Sequence, residues 1–468
     1  MAEAETEVIL KMRKICVINP AIPSPIQTMF LSNLDLYWIP FDNVQNFFFY
    51  RCSPSIQFHP LIQGLKRSLS SVLVHFYPLA GRLKKGESGR MEVDCTNGGV
   101  QFMEASISVP FQDLEKNGFR YKPYFQKLVP NVNLFADENH STPLLSIQVT
   151  AFEGAGLCIA IKLQHVIVDG ASFYHFMTSW AECSRGIPIS KPPQHNRTAF
   201  KQEYKKSPSI SYRAHDIKSL GITGAQIFKF VPENSRPEHQ KRSLFEEKHK
   251  ETPQNRSDLI YATFCFTEET IQELKQRSGA SSSFVAVAAQ FWRCIMRARQ
   301  IPEEESVYFL VLPDCRNRVK PPLLPTYFGN CLSVGVAKIT AGFLINAHIS
   351  FAADVIQQLI NSCTEEAQIN HLIDWVEVCN RRLLTESGLV YGTKAVNSPR
   401  FPMYDIDYGW GKPVDSQMPD MNDIGSMVLL PPKDGSKSIM ISTCLPPDQM
   451  EILDHLLCLG RVYPSARL

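Results

Sequence analysis

A seven-residue segment, Gln164-His165-Val166-Ile167-Val168-Asp169-Gly170, joins an apolar run to an amphipathic run. The apolar run, Leu157–Leu163, has the length and β-branched content of a largely buried strand. In the amphipathic run, apolar side chains recur at the spacing of a helix with one buried face: Phe173, Phe176, Met177 and Trp180. We therefore expect an imidazole, a carboxylate and a Gly in a loop fixed on both sides by rigid elements, a location that often carries chemistry.

The pair His165 and Asp169 allows three interpretations. A neutral imidazole in such a loop can take a proton from an alcohol, amine or thiol, and a general base of this kind contributes about 10²–10⁴-fold to a rate. Two ligands four residues apart could bind zinc, but no third His or Cys stands at a usable spacing. In the structural interpretation, His165 packs in the core and Asp169 caps the following helix or pairs with an Arg. Judged alone, the pattern favours the structural interpretation, then the base, then the metal.

Length and composition describe an ordinary globular protein. The chain has 468 residues, more than one hydrophobic core normally serves, so we expect two domains. Hydrophobic residues make up 44% and charged residues 20%, which is typical of folded domains. The net charge of +2 gives no reason to expect nucleic acid or an acidic membrane as a partner. No apolar run approaches the ~18 residues that would indicate a membrane helix.

The cysteines and the two termini predict the compartment. The 13 Cys residues contain no CxxC pair, so they fit buried free thiols in a reducing compartment better than a zinc or thioredoxin motif. The acidic start, residues 1–7, lacks the basic and apolar regions of a signal peptide. We expect a cytoplasmic protein, with a peroxisomal alternative because Ala466-Arg467-Leu468 resembles a variant of the Ser-Lys-Leu tail.

Composition divides the chain into three consecutive parts. Residues 1–186 form a first domain that carries His165, and residues 258–468 form a second. Between them, residues 187–257 are rich in Pro, Lys, His, Arg, Ser and Gln and are predicted to be a long surface crossover. Strands and helices mix without strict βαβ alternation and without a sequence repeat.

A second segment, Asp407-Tyr408-Gly409-Trp410-Gly411, places two Gly beside a Trp. Gly next to a bulky aromatic residue marks a backbone with unusual dihedral angles or a close approach. The structural interpretation is a tight turn buried by Trp410.

Together these segments resemble those of plant BAHD acyltransferases, which carry HxxxD in mid-chain and DFGWG near the C-terminus. Order and separation match, and three further segments are similar: Tyr77–Arg82, Asp314–Arg318 and Tyr327–Cys331. HxxxDG alone is shared with other CoA-dependent acyltransferases, whereas the combination is specific. Tyr408 stands where the family usually has Phe, which leaves a hydroxyl that needs a partner if it is buried.

The resemblance implies an α/β fold of two domains, each like a chloramphenicol acetyltransferase subunit, joined by the crossover and enclosing a central channel. It implies a monomer that uses acyl-CoA as co-substrate, with no bound cofactor, no metal and no acyl-enzyme. His165 would deprotonate the hydroxyl or amine of a small acceptor, and Asp169 would hold an Arg of Asp314–Arg318. The resemblance also implies that the second segment shapes the fold and CoA binding, through Asp407, Gly409, Trp410 and Gly411.

The acceptor is predicted from two segments that point in different directions. Arg400 aligns with an Arg that meets the acceptor's carboxylate in hydroxycinnamoyl transferases, whereas Tyr327–Cys331 and Leu36–Trp38 resemble members that acylate glycosides. The first choice is a hydroxyl of a plant specialised metabolite, such as a glycoside, and the alternative is a hydroxycinnamoyl transferase acting on a carboxylate-bearing acceptor. Trp38 is either an aromatic of the substrate pocket or a core residue. A non-catalytic binding relative, or a lyase or hydrolase of the same fold, stays open.

Overall fold

A computed structural model describes residues 8–24, 26, 28–39, 44–53, 57–87, 89–96, 98–131, 142–197, 200, 210–217, 225–232, 259–378, 391–418 and 424–457. The predicted targeting tail, residues 466–468, lies outside these ranges. Within them, every helix is too short or too polar to cross a membrane.

The strands are β1 Leu10–Ile18, β2 Thr28–Phe30, β3 Val44–Arg51, β4 Arg82–Lys85, β5 Met91–Asp94, β6 Val100–Pro110, β7 Leu145–Glu153, β8 Gly156–Leu163, β9 Ile210–Asp216, β10 Gln226–Pro232, β11 Ile260–Phe266, β12 Ser306–Val311, β13 Gly335–Thr340, β14 Gly392–Val396, β15 Asp415–Gln417, β16 Met427–Leu430 and β17 Ile439–Leu445. The helices are α1 Asn33–Leu36, α2 Phe58–His75, α3 Phe111–Lys116, α4 Gly170–Ser184, α5 Glu268–Ser278, α6 Ser283–Ala298, α7 Ala341–Asn346, α8 Ile349–Cys363, α9 Glu366–Val378 and α10 Pro447–Leu457.

The chain forms two compact units, as the predicted two-domain α/β class requires. The first unit comprises residues 1–197, 326–330 and 402–420, and the second comprises 198–325, 331–401 and 421–468. The units therefore interleave, whereas the predicted domains run consecutively along the chain. The segment 402–420 belongs to the first unit because its strand β15 pairs with β3.

The first unit contains a six-stranded sheet in the order β1-β6-β7-β8-β3-β15 and a three-stranded sheet in the order β2-β5-β4. In the larger sheet only β6 and β7 run parallel, and α3 lies in the connection that this arrangement requires. Strand β3 is buried from Asn46 to Tyr50, because it lies inside the sheet with both faces covered.

Strands β7 and β8 form an antiparallel hairpin, which turns at Gly154 with φ +84°. Strand β8 lies between β7 and β3, so the loop that follows Leu163 starts from the interior of the sheet. Helix α4 receives this loop and packs on α2, where the indole of Trp180 donates to Ser68 Oγ at 3.0 Å. Two fixed elements thus hold the ends of the loop that contains His165.

The second unit contains an eight-stranded sheet in the order β11-β17-β16-β14-β12-β13-β10-β9. Helix α6 packs on it, with the rings of Trp292 and Phe309 5.1 Å apart between centroids. Strands β9 and β10 lie in the part of the chain predicted to be a surface crossover, and β10 pairs with β13. The polar composition around these strands concealed the apolar residues of β10, Ile227 and Phe228, which are buried.

Candidate active site

The histidine loop (residues 164–169) is anchored at both ends. At its start, Gln164 N donates to Leu144 O at 2.9 Å. At its end, Asp169 Oδ1 accepts a hydrogen bond of 3.0 Å from Ser172 N, so this buried carboxylate caps α4. The cap that the sequence predicted for Asp169 is therefore present.

His165 is a partly exposed residue of this loop. Its ring stacks on the indole of Trp38, with 3.9 Å between ring centroids and 10° between planes. Burial lowers the pKa of His165 below its usual range, and its own backbone carbonyl, the charge of Asp169 and the side chain of Asn330 oppose this effect only in part. The imidazole is consequently uncharged near neutral pH, the form in which it can accept a proton.

A buried carboxylate, Asp35 of α1, lies close to the histidine loop. Ser32 donates to Asp35 Oδ2 through its backbone N at 2.9 Å and its hydroxyl at 2.7 Å. Arg197 Nε donates to the same oxygen at 2.8 Å, and the two ion-paired side chains are 1% and 0% exposed. Burial acts to lower the pKa of Arg197, but the charge and hydrogen bond of Asp35, together with Tyr327 and Tyr77, outweigh it and raise the pKa. The pair thus holds both charges inside the first unit.

Asn330 connects this ion pair to the histidine loop. Its backbone N and its Nδ2 donate to Asp35 Oδ1 at 2.9 and 3.1 Å. The same Nδ2 also donates to the backbone carbonyl of His165 at 2.8 Å. One buried side chain therefore contacts both Asp35 and the residue that carries the imidazole.

Gly329 adds a second connection between segment 326–330 and the loop region. The hydroxyl of Ser172 donates to Gly329 O at 2.9 Å and accepts from Gly329 N at 3.0 Å. A Cβ at position 329 would lie 2.9 Å from Arg197 Nη2 and 2.8 Å from Tyr327 Oη. Only Gly fits beside the buried guanidinium without moving it.

Sequence reasoning missed three of these residues: Asp35, Arg197 and Asn330. Ser32-x-x-Asp35 is a capping-box pattern, and α1 has both of its hydrogen bonds, so that pattern could have marked Asp35. Asn330 belongs to a segment that resembles the family, but no role was assigned to it. Arg197 follows a polar stretch, where composition gives no sign of a buried cation.

The tryptophan loop (residues 407–411) is closed by its own carboxylate. Asp407 Oδ1 accepts from Gly409 N at 2.7 Å and from Gly411 N at 3.0 Å. The two Gly residues have φ angles of +108° and +120°, which L side chains rarely adopt. Arg185, at the exposed end of α4, donates to Asp407 O at 2.8 Å. The expected turn is present, and Gly is needed in it.

Tyr408, not Trp410, is the aromatic residue buried by this turn. Tyr408 is 2% exposed, and its ring packs on Trp180 with 4.9 Å between centroids, while Trp410 is only partly buried. Trp410 contributes to the burial of the turn, since it stacks on Tyr408 and packs against Tyr50 of β3, but Tyr408 is the more deeply buried ring because α4 also packs on it. The Tyr408 hydroxyl is buried and has no hydrogen-bond partner within the described ranges. Burial raises the pKa of Tyr408 well above its usual range.

Two other predicted site segments belong to the second unit. Arg400 is exposed in a turn, where its backbone N donates to Ser398 Oγ at 3.2 Å. In the segment predicted to pair with Asp169, Arg316 Nη1 lies 3.1 Å from Asp314 Oδ1. Across the part of the chain that the structure describes, no three His, Cys, Asp or Glu side chains gather as metal ligands.

Comparison with known proteins relates the chain to enzymes of acyl transfer. A family model described as Transferase family matches residues 8–457. A hydroxycinnamoyltransferase of Narcissus pseudonarcissus is 28% identical over 464 residues, 96% of this chain and 99% of that protein. The shikimate O-hydroxycinnamoyltransferase of Nicotiana tabacum is 27% identical over 467 residues, again 96% and 99% of the two chains.

Solved structures show the same fold. Vinorine synthase has a TM-score of 0.67 and 20% identity, and the match covers 97% of this chain and 99% of that one. TRI101 of F. sporotrichioides, complexed with coenzyme A and T-2, has a TM-score of 0.68 and 17% identity, with coverage of 91% of this chain and 97% of that one. These likenesses confirm the predicted fold of two chloramphenicol-acetyltransferase-like domains.

Proposed function

Because this chain belongs to the Transferase family of BAHD acyl-CoA-dependent acyltransferases, we propose that His165 is the general base of its reaction. The enzyme transfers an acyl group from acyl-CoA to a hydroxyl or amine of an acceptor. In the proposed reaction, the imidazole takes the acceptor's proton while the oxygen or nitrogen attacks the thioester carbonyl. The tetrahedral intermediate then expels the CoA thiolate, and the proton passes from the imidazolium to that sulfur.

One observation carries the proposal: His165 is a partly exposed residue whose ring is fixed in orientation. Trp38 stacks on one face at 3.9 Å, which supports the proposal that this indole forms part of the substrate site. The lowered pKa favours the basic form near neutral pH, where a proton acceptor is needed. An imidazole serving only as a core residue would need neither exposure nor a free lone pair.

Asp169 is proposed to act on the reaction through His165, since its carboxylate caps α4 and raises the pKa of the imidazole against burial. Its pairing with an Arg of residues 314–318 stays a prediction. The tryptophan loop is proposed to support CoA binding by its shape, through the residues Asp407, Gly409, Trp410 and Gly411. The hydrogen bonds that close this loop within itself support a role in shape.

The proposed acceptor is a hydroxyl group of a plant specialised metabolite, such as a glycoside. The second candidate acceptor carries a carboxylate that binds Arg400, and the protein would then be a hydroxycinnamoyl transferase. The names of the relatives favour this second candidate, since they include a shikimate O-hydroxycinnamoyltransferase and a hydroxycinnamoyl-CoA:piscidic acid hydroxycinnamoyltransferase. Arg400 is exposed, and a guanidinium binds a carboxylate through two parallel hydrogen bonds.

The test combines acetyl-, malonyl-, benzoyl- and coumaroyl-CoA with phenolic glycosides and hydroxy acids, and it follows both free thiol and product mass. Transfer gives an ester or amide of added acyl mass, hydrolysis gives thiol without that product, and a binding protein gives neither. If Arg400 holds a carboxylate, Arg400→Leu raises KM for hydroxy acids alone and leaves glycosides unaffected. If Arg400→Leu changes KM equally for both acceptor classes, Arg400 does not bind the acceptor's carboxylate.

We also propose a monomer that works in the cytoplasm on acyl-CoA and a small acceptor, without nucleic acid or membrane. The net charge of +2 and the free cysteines of the described residues support this proposal. The alternative is the peroxisome, through residues 466–468. Light scattering tests the monomer, and fluorescent fusions at either terminus test the compartment, since only the N-terminal fusion leaves the tail accessible.

A further inference from the structure

We propose that Asn330 is a positioning residue that sets the ring of His165 for proton removal, and that the buried pair of Asp35 and Arg197 fixes Asn330 in turn. The inference rests on His165 as the general base. Asn330 does not touch the acceptor in this proposal. It acts only through the imidazole and its backbone.

The orientation of the Asn330 carboxamide follows from its partners. Its Nδ2 lies 2.8 Å from the backbone oxygen of His165 and 3.1 Å from Asp35 Oδ1. Both partners are pure acceptors, so this atom is the amide nitrogen and both of its protons are used. The remaining atom, Oδ1, is therefore an acceptor whose direction is fixed by two hydrogen bonds on the other side of the carboxamide.

In this arrangement, two buried atoms, Asn330 Oδ1 and His165 Nδ1, are available to form a hydrogen bond with each other. Among the described residues, neither Asn330 Oδ1 nor His165 Nδ1 has a hydrogen-bond partner of good geometry, although both are inaccessible to solvent. The Asn330 side chain nevertheless acts on the ring, because it raises the pKa of His165 against burial. Catalytic hydrogen bonds are often long or misaligned without substrate and tighten when it binds. A proton on Nδ1 directed at Oδ1 leaves the lone pair on Nε2 for the acceptor.

The ion pair of Asp35 and Arg197 explains why the Asn330 carboxamide keeps its orientation toward His165. Asp35 Oδ1 accepts from both nitrogens of Asn330, and Asp35 Oδ2 accepts from Ser32 and from Arg197 Nε. Arg197 Nη2 also donates to the backbone oxygen of Ile167, within the histidine loop, at 3.5 Å.

The charged groups around the ring come from each packed element. Asp169, at the start of α4, acts on the ring by its charge, whereas Asp35 on α1 and its partner Arg197 are connected to His165 through Asn330. Because the charges of Arg197 and Asp35 offset each other, the pair adds no net charge near the imidazole. Its proposed effect, through Asn330, is on the position of the ring.

The first experiment compares Asn330→Ala with Asn46→Ala. Asn46 is also buried, and its truncation also removes two side-chain hydrogen bonds, one to Tyr174 Oη at 2.9 Å and one from Ser416 Oγ at 3.0 Å, neither of which involves the histidine loop. We expect N330A to lower kcat by about 10²-fold, the scale of a misplaced catalytic group, with unchanged KM for acyl-CoA. We expect N46A to lose thermal stability and to keep the pH profile.

The pH profile separates positioning from a general loss of stability. Asn330 raises the pKa of His165, so its removal stabilises the neutral ring and moves the acid limb of kcat to lower pH. A folded N330A with the native rate and native acid limb overturns the inference. So does an equal shift of the acid limb in N46A.

A second measurement does not depend on any Asn330 variant folding. Nitrogen NMR of the native full chain labelled with ¹⁵N-histidine, with His165 assigned by its loss in His165→Gln, reports which ring nitrogen carries the proton. We expect Nδ1 to be protonated at neutral pH, and a proton on Nε2 overturns the inference. If His165→Ala keeps full activity, the general base itself is lost, whereas an inactive H165A beside a native N330A overturns only the role of Asn330.

Discussion

The histidine loop and the tryptophan loop lie in the same compact unit, yet different forces hold them. The histidine loop is fixed from beneath by buried polar groups, in which Arg197 and Asp35 pair at 2.8 Å and Asn330 reaches the backbone of His165. The tryptophan loop is fixed by two Gly residues with positive φ, by ring contacts of Tyr408 and by an exposed Arg, Arg185.

The difference shows how each loop can fail. A buried charge that loses its partner destabilises the folded state strongly, because water cannot reach it. A loop held by backbone dihedral angles and exposed hydrogen bonds loses less when one contact is removed. We therefore expect substitutions beneath His165 to affect the whole first unit, and substitutions around Trp410 to remain local.

The largest expected effect comes from His165→Ala. We expect the rate of acyl transfer to fall by about 10²–10⁴-fold, the contribution of a general base, while the melting temperature stays close to native. The wild-type rate should be maximal at neutral pH and should fall only below pH 6.5. The pKa of His165 is lowered from its ordinary value of 6.5, and the neutral ring is the active form. Thiol release across pH, beside thermal unfolding, measures both. A near-native rate would contradict the assignment.

The two arginines compare the loops directly. Arg197→Met leaves Asp35 buried without its cation, so we expect the free energy of unfolding of the first unit to fall by about 3–5 kcal/mol. Arg185→Met removes one hydrogen bond from an exposed guanidinium to a backbone oxygen, and we expect about 1 kcal/mol or less. Urea unfolding of both variants gives the two values. Equal losses of unfolding free energy in the two variants would show that the two loops are not held by different forces.

Gly411→Ala tests the backbone of the tryptophan loop. At φ +120° an added Cβ is strained, so we expect a loss of roughly 1–3 kcal/mol and a higher KM for acyl-CoA. The control is Gly64→Ala within α2, where a Cβ meets nothing within 4 Å and helix propensity should raise stability. A stable G411A with the native KM would show that neither the dihedral angle nor the loop shape matters.

The smallest effect has the opposite sign. Tyr408→Phe removes a buried hydroxyl without a partner in the described chain, so we expect a gain of about 1 kcal/mol in stability. Tyr50→Phe is its matched control, since the Tyr50 hydroxyl donates to Ile406 O at 3.0 Å and its removal should cost about 1 kcal/mol. Differential calorimetry of the pair decides, and a loss in both variants would mean that Tyr408 has a partner too.

Local patterns predicted much of this fold. The apolar run before His165 gave strand β8, the helical spacing of Phe173 to Trp180 gave α4, and Asp169 was expected to cap that helix, all as observed. These features depend on neighbours in sequence, which periodicity and capping rules describe. Strands β9 and β10 were not predicted, because the pairing of β10 with β13 depends on distant residues and the composition around both strands suggested a linker.

The site was predictable only where chemistry shows in a single residue type. A His and an Asp four apart suggested a base and a cap, but nothing local indicates that Arg197 and Asp35 meet across the chain. Asn330 has a role only because a separate segment brings it under His165. Such contacts arise from tertiary structure, where the energy of a polar group depends on burial and on its partner rather than on its spacing.

The interleaving of the two units constrains synthesis of the protein. When the ribosome has added residue 197, the first unit still lacks the amide donors of Asn330 and the edge strand β15. Asp35 and Arg197 can meet by then, yet the nascent sheet keeps β3 as an open edge until residue 417 has emerged. Co-translational folding of this unit therefore finishes after most of the second unit has been translated, and a truncated gene for residues 1–197 encodes an incomplete one.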